Sequence, residues 1–225
     1  MELQKRNMGH KINPKAFRLG PVYTWDSRWF TDDKNYKVFV LEDAKIRHAL
    51  LKKLQPAGVI RVEIERSINK INIVLHVVRP GMVIGRGGQG LEEIKKFIEG
   101  IIYSQRKKNK VKLTKNMLKL DIRVEPVKNP NLSAYFLATQ IAEQLAKRMP
   151  ARRVAAYTLE KAKTAGARGV KIVLAGRIGG AEISRRETYK TGTIPLSTIR
   201  EDIDYAAYPS LTKSGYIGVK VWICK

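Results

Sequence analysis

The stretch Val83-Ile84-Gly85-Arg86-Gly87-Gly88-Gln89-Gly90-Leu91 constrains the fold of this chain more than any other. It places four glycines within six positions, with an arginine among them. Glycine lacks Cβ, so such a turn lets another backbone approach closely. An amphipathic run from Leu91 to Tyr103 follows at once, with Leu91, Ile94, Ile98, Ile101 and Ile102 at helical spacing. The first N–H groups of a helix have no intrahelical partner and are electropositive, so they attract phosphate. Gly85, Arg86, Gly87 and Gly88 therefore read as a phosphate-contacting turn. The bland alternative is a turn that only packs two elements together.

Two patterns overlap in this stretch. Gly85, Gly87 and Gly90 satisfy G-x-G-x-x-G, the dinucleotide fingerprint, while Gly85 and Gly88 satisfy G-x-x-G, the spacing of the loop that clamps nucleic-acid backbone in KH domains. The dinucleotide reading needs a strand running straight into the first glycine and an acidic residue about 20 positions on for the ribose. Here the strand-like run Ile71–Val78 stops at Arg79-Pro80-Gly81, and the region from Arg106 to Lys112 holds no acid. The sequence thus favours nucleic-acid backbone over a nucleotide cofactor.

Charge supports that choice. Lys and Arg total 44 against 20 Asp and Glu, a net charge of +24, and the excess runs through both halves of the chain. A polyanion is the expected partner. With a single cysteine, Cys224, neither an internal disulfide nor a cysteine zinc site can form, and a reducing compartment is expected. His10, His48 and His76 lie far apart without metal-ligand spacing, and no Gly-Lys pair exists for a Walker loop. No apolar run approaches the roughly 18 residues of a membrane helix, and the N-terminus lacks the apolar core of a secretory signal. The expectation is a non-enzyme with no cofactor, no metal, no small-molecule substrate and no membrane partner.

The order of elements defines the class. Residues 1–20 form a basic N-terminal arm, carrying Lys11 and Arg18, of the kind that orders only on a partner. Trp25, Trp29 and Phe30 are expected to pack in the core. From 21 to 126 the pattern predicts a helix over Glu42–Leu54, strands with Ile60, Val62, Ile64 and with Ile71, Ile73, Leu75, Val77, the glycine turn and its helix, and a third strand with Leu118, Leu120, Ile122, Val124. Between them, Ser67–Lys70 reads as a hairpin and Gln105–Lys115, with Arg106, Lys107 and Lys108, as a charged connection. Helices must cover the apolar face of this three-stranded sheet, the order of a type II KH domain. Residues 127–225 read as a second α+β domain: two helices, the first capped by Ser133 and the second starting near Arg152, then a mostly antiparallel sheet. Its strands are expected at Val170–Ala175, Glu182–Lys190 and Ile217–Ile223, and Ile194–Tyr205 has no clear pattern. The whole chain is α+β.

Five motifs, in order, resemble those of one family. They are Gly9-His10-Lys11-Ile12-Asn13-Pro14 with Phe17-Arg18-Leu19-Gly20; Arg79–Gly85; Gly176-Arg177-Ile178-Gly179-Gly180-Ala181-Glu182-Ile183; Ile199–Tyr205; and Gly218–Ile223. The chain is identified by them as similar to the family of the third protein of the small ribosomal subunit, of bacterial type. Residues 1–7 precede the family's usual start, many members carry a further basic tail, and Ala156 stands where a third cation usually follows Arg152 and Arg153. The resemblance implies a structural, RNA-binding protein of the subunit head, cytoplasmic in the ribosome. Its implied partners are ribosomal RNA, neighbouring small-subunit proteins, and messenger RNA on its way into the ribosome. An off-ribosome KH-type RNA chaperone is the alternative. The candidate RNA contacts are Gly85, Arg86, Gly87, Gly88, Lys11, Arg18, Arg106, Lys107, Lys108, Arg152, Arg153, Arg177, Arg185 and Arg186. Glu182 and Glu187 are placed to compete for the last three.

Overall fold

The computed structural model describes residues 11–67, 70–108 and 119–225, without the side chains of Lys34 and Lys108. They form two compact units. One is Trp25–Pro130; the other joins the described residues up to Thr24 with Asn131–Lys225.

In the first unit, α2 (Asp33–Lys53) precedes β2 (Val59–Ser67) and β3 (Lys70–Val77); then come α3 (Pro80–Ile84), α4 (Gln89–Lys108) and β4 (Lys119–Pro126). β2 pairs antiparallel with β3, and β3 parallel with β4. A two-residue strand β1 (Ser27–Arg28) adds a parallel edge to β2, a fourth strand that so short a segment could not announce. Alternation does what the pattern predicts for most positions: Val62, Ile64, Ile71, Ile73, Leu75 and Val77 are buried with Ile46 and Leu50 of α2 and Ile94, Ile98 and Ile102 of α4. Ile60, expected on the same face, is only half-buried, because a register irregularity between Val59 and Arg61 gives the core position to Val59. α2 begins nine residues before the expected start because its first turns are largely exposed and carry no apolar period. Trp25 and Phe30, expected in the core, are exposed, whereas Trp29 is half-buried and donates from Nε1 to Asp43 Oδ2 at 2.7 Å.

The second unit has α1 (Pro14–Phe17), α5 (Ala134–Ala146) and α6 (Ala151–Thr164) with strands β5 (Gly169–Gly176), β6 (Arg185–Gly192), β7 (Ile203–Thr212) and β8 (Gly215–Cys224). The strand order is β6-β5-β8-β7, antiparallel throughout. Val170, Ile172, Leu174, Val219, Val221 and Ile223 point toward Leu137, Ile141 and Val154 of the helices. β7 escaped the sequence reading because Pro209 and paired alanines break its alternation; proline is tolerated there because β7 lies at the sheet edge. Ser133 makes no side-chain cap. Asp204 of β7 accepts the Ala134 N–H at 2.7 Å instead, a carboxylate at the positive end of α5.

The largest departure concerns the arm. Residues 11–20 are not a free arm but part of the second unit. Arg18 is fully buried. Its Nε donates to Glu201 O at 2.8 Å, Nη1 to Pro14 O at 3.0 Å, and Nη2 to Thr198 O at 2.8 Å and Leu196 O at 3.0 Å. Lys15 pairs with Asp204 at 2.6 Å, and the Tyr23 hydroxyl donates to Asp202. Burial, and then the Asp202 contact, hold the Tyr23 proton far above the ordinary tyrosine range. Arg18 is thus a structural clamp, and its assignment as an RNA contact is corrected. The irregular segment before β7 leaves carbonyls outside any ladder, and a guanidinium with five donors satisfies several at once. Arg18→Ala should cost about 3 kcal/mol or more, since several charge-assisted hydrogen bonds are lost and the buried Pro14 carbonyl is orphaned. Arg18→Lys should recover little, lacking the planar fork. Hydrogen exchange should show protection lost across residues 11–24; full protection in Arg18→Ala would rule the clamp out.

Candidate nucleic-acid interface

The glycine turn lies between two helices. β3 stops at Val77 and the five-residue α3 intervenes, so no strand runs into Gly85. Gly85 ends α3 at φ 70°, its N–H bonded to Gly81 O at 3.0 Å, and Arg86–Gly88 form a 3-10 turn that leads into α4. The glycines divide into two kinds. A Cβ on Gly90 would meet Val83 O at 2.5 Å, and one on Gly85 would meet Gly90 N at 3.0 Å. This pair brings α3 and the start of α4 together. Gly87 and Gly88, at φ 61° and 84°, have open space where a Cβ would lie. Their outer surface is therefore accessible to an incoming backbone, and Arg86 stands exposed beside it, with no ion pair among the described residues. The turn combines packing on one side with access on the other.

One of the remaining candidates, Arg106, is assigned differently by the structure. The connection that was expected to begin at Gln105 is helical as far as Lys108, and residues 109–118 lie outside the described part. Arg106 faces inward: its Nε meets Glu42 Oε1 at 3.0 Å, Glu42 also takes Arg66 Nη1 at 2.7 Å, and Arg66 binds Asp43. Glu42 and Arg66 are buried, so Arg106 balances an internal charge network rather than facing RNA. Lys107 is exposed on α4.

In the second unit, chain folding brings separated motifs together. Arg152 and Arg153 are exposed in the first turn of α6, which holds no acidic residue, and no ion pair to Glu160 forms. Arg152 lies close enough to Tyr189 of β6 to oppose the rise in its pKa, as does Arg185. That rise comes first from burial and then from Glu187, which accepts the Tyr189 hydroxyl at 2.6 Å. Arg185 Nε pairs with Glu187 at 2.8 Å, so the competing carboxylate does engage it; Glu182 makes no ion pair among the described residues. Arg177 Nε donates to Ala181 O at 2.7 Å and braces its own loop, anchored by buried Ile178. Arg185 and Arg186, neighbours in sequence, lie on opposite faces of β6. Arg186 shares the second face of the sheet with Lys171 and Lys220, which the sequence reading did not single out, and with Lys11 at its margin. Their signal was the cation at alternate positions of β5 and β8.

The chain matches the KH domain model over residues 45–132 and the model of ribosomal protein S3, C-terminal domain, over 141–223. It is 44% identical over 218 residues to small ribosomal subunit protein uS3 of Caldicellulosiruptor bescii, covering 97% of this chain and 92% of that one. Similar proteins of the same name occur in Clostridium acetobutylicum (42% over 216 residues, 96% and 91% covered) and Vesicomyosocius okutanii (40% over 218 residues, 97% and 89%). The chain belongs to the uS3 family. That family is structural and non-enzymatic, with a KH RNA-binding domain, as the sequence motifs imply. The KH match spans the glycine turn and the S3 match spans α6, the Arg177 loop and β6, so both clusters of exposed cations fall in the family's own domains. The two kinds of glycine make separable predictions. Gly90→Ala should destabilise the protein by about 1–3 kcal/mol by overpacking against a backbone carbonyl. Gly87→Ala should cost only about 1 kcal/mol for its left-handed backbone. Urea unfolding of the two variants checks this, and equal costs would contradict the division.

Proposed function

We propose that this chain is a structural, RNA-binding constituent of the small ribosomal subunit, working in the cytoplasm in the subunit head beside the path along which messenger RNA enters. The observation that carries the reading is near-full-length similarity to proteins named for that subunit. The geometry supports it physically. Gly87 and Gly88 leave room for a sugar-phosphate backbone at the start of α4, where unpaired N–H groups favour phosphate. Exposed Arg86, Lys107, Arg152 and Arg153 supply charge for phosphate contacts, which give affinity and salt dependence rather than sequence choice. Its partners are then ribosomal RNA, messenger RNA and adjacent subunit proteins.

The turn is tested by Arg86→Glu combined with Gly87→Asp in the full chain; aspartate is among the few residues that tolerate left-handed backbone. Affinity for single-stranded RNA should fall about tenfold with thermal stability nearly unchanged, and an unchanged affinity would leave only a packing turn. The message path is tested at α6. Cations in the first turn oppose the helix dipole by up to about 1 kcal/mol, so Arg152 and Arg153 do not stabilise α6 electrostatically. Subunits with Arg152→Ala and Arg153→Ala should assemble normally but translate more slowly through a stable message hairpin, with unstructured messages little affected. Equal rates on the hairpin would refute the role, and lost assembly would point to ribosomal RNA instead.

A further inference from the structure

The second face of the β6-β5-β8-β7 sheet carries a feature that neither the glycine turn nor the α6 arginines use. Cross-strand register aligns Lys190, Lys171, Trp222 and Tyr205 in one row. The next rows are Thr188, Val173, Lys220, Ala207 and then Arg186, Ala175, Gly218, Pro209. Residues directly opposite in an antiparallel pair share a face, and this one is turned away from α5 and α6, whose side takes Ile172, Leu174, Val219 and Val221. These rows hold four cations, two large aromatics and no carboxylate.

The face is not simply a solvated basic surface. Residues 11–18, held down by the Arg18 clamp, close one side of a cavity of about 690 Å³ over it. Lys11, Lys171, Arg186 and Lys220 line the cavity with Tyr205 and Trp222, and no acidic side chain lines it. The Tyr205 and Trp222 rings lie 5.1 Å apart at 42°, and Lys171 Nζ sits 5.4 Å from the Trp222 ring centroid. Both rings are half-buried. Like charges gathered without a counter-ion repel one another, and an anion entering among them relieves that cost. An acidic peptide would use the cations but has no need of an aromatic floor. A nucleotide uses both, because every base has a π-face that stacks on aromatic side chains while its phosphates meet Lys and Arg. The cavity also falls within the range of small-ligand sites, about 300–1,000 Å³.

We propose that this cavity takes one unstacked nucleotide of an RNA strand, its base against Trp222 and Tyr205 and its flanking phosphates against Lys171, Lys220 and Arg186. The assignment rests on the reading of the chain as an RNA-binding protein and adds a site distinct from the glycine turn. Lys11, at the rim, meets the strand as it leaves.

The test uses the full chain and three probes: a dye-labelled oligoadenylate, a base-free backbone of the same length, and adenosine monophosphate. Trp222→Leu with Tyr205→Leu should weaken oligoadenylate binding about tenfold, with binding of the base-free backbone unchanged. Lys171→Gln with Lys220→Gln keeps both rings; it should weaken both strands and reduce the salt slope by about 1.4, the value for two single-strand phosphates. The second pair keeps the proposal testable if the ring variant fails to fold. An unchanged preference for the strand with bases in the folded ring variant would overturn the site, leaving the face to an acidic protein segment. Adenosine monophosphate binding as tightly as the strand would overturn the strand in favour of a free nucleotide. Loss of all strand binding in the unmodified chain would instead remove the RNA-binding reading itself, so the two failures are distinguishable.

Discussion

A buried guanidinium cannot be left unsatisfied, and much of the second unit is arranged around that requirement at Arg18. Its donors are directed to carbonyls of Pro14, Leu196, Thr198 and Glu201, so it joins the start of the described chain to a segment 178 to 183 residues later. That later segment forms no ladder of its own, and Arg18 pairs its half-buried carbonyls. Asp204, just beyond it, caps α5 and pairs with Lys15, tying α1, β7 and α5 into one charged joint. The rim of the sheet-face cavity is built from the same anchored residues.

The first unit solves a related problem with carboxylates. Glu42 and Asp43 on α2 are buried, and Arg66 from β2 and Arg106 from α4 meet them, with the Trp29 indole donating to Asp43. Arg66 also stacks over Phe39 at 4.8 Å. Such a network is costly to break, because removing one partner leaves an uncompensated buried charge. It ties α2 and α4 to the sheet from the side, while Gly85 and Gly90 let α3 and α4 meet end to end. The exposed side of the turn, at Gly87 and Gly88, is held by contacts that lie entirely beneath it, which is how a flexible residue type forms a defined surface.

Both units show the same division of labour among cations. A chain with a net charge of +24 carries far more Lys and Arg than any internal network can use. Arg18, Arg66 and Arg106 are consumed inside; Arg177 and Arg185 are partly engaged at the surface by Ala181 O and Glu187. Arg86, Arg152 and Arg153 remain at turns and helix starts where the backbone itself presents N–H groups. The helix dipole does not favour this last placement, since cations at a helix N-terminus are disfavoured unless an anion joins them.

Local pattern was enough for the parts of the fold that depend on neighbours in sequence. The alternation of Ile71 to Val77, the helical spacing of Ile94, Ile98 and Ile102, and the glycine turn at Gly85, Gly87 and Gly88 are properties of short windows, and the order of elements around them follows. The charge excess likewise specifies a polyanion, because a summed charge does not depend on how the chain folds. The fate of individual arginines was not legible, because a guanidinium in a basic segment looks the same whether it faces water or carbonyls 177 to 183 residues away. The early turns of α2 and strand β7 were hidden because one is mostly exposed and the other is an edge broken by Pro209. The sequence by itself determined most of the elements, their order and the polyanionic nature of the partner, since these rest on local sterics and summed charge. The tertiary structure alone decided which cations remain available and where a cavity forms, since both depend on contacts between segments that only folding brings together.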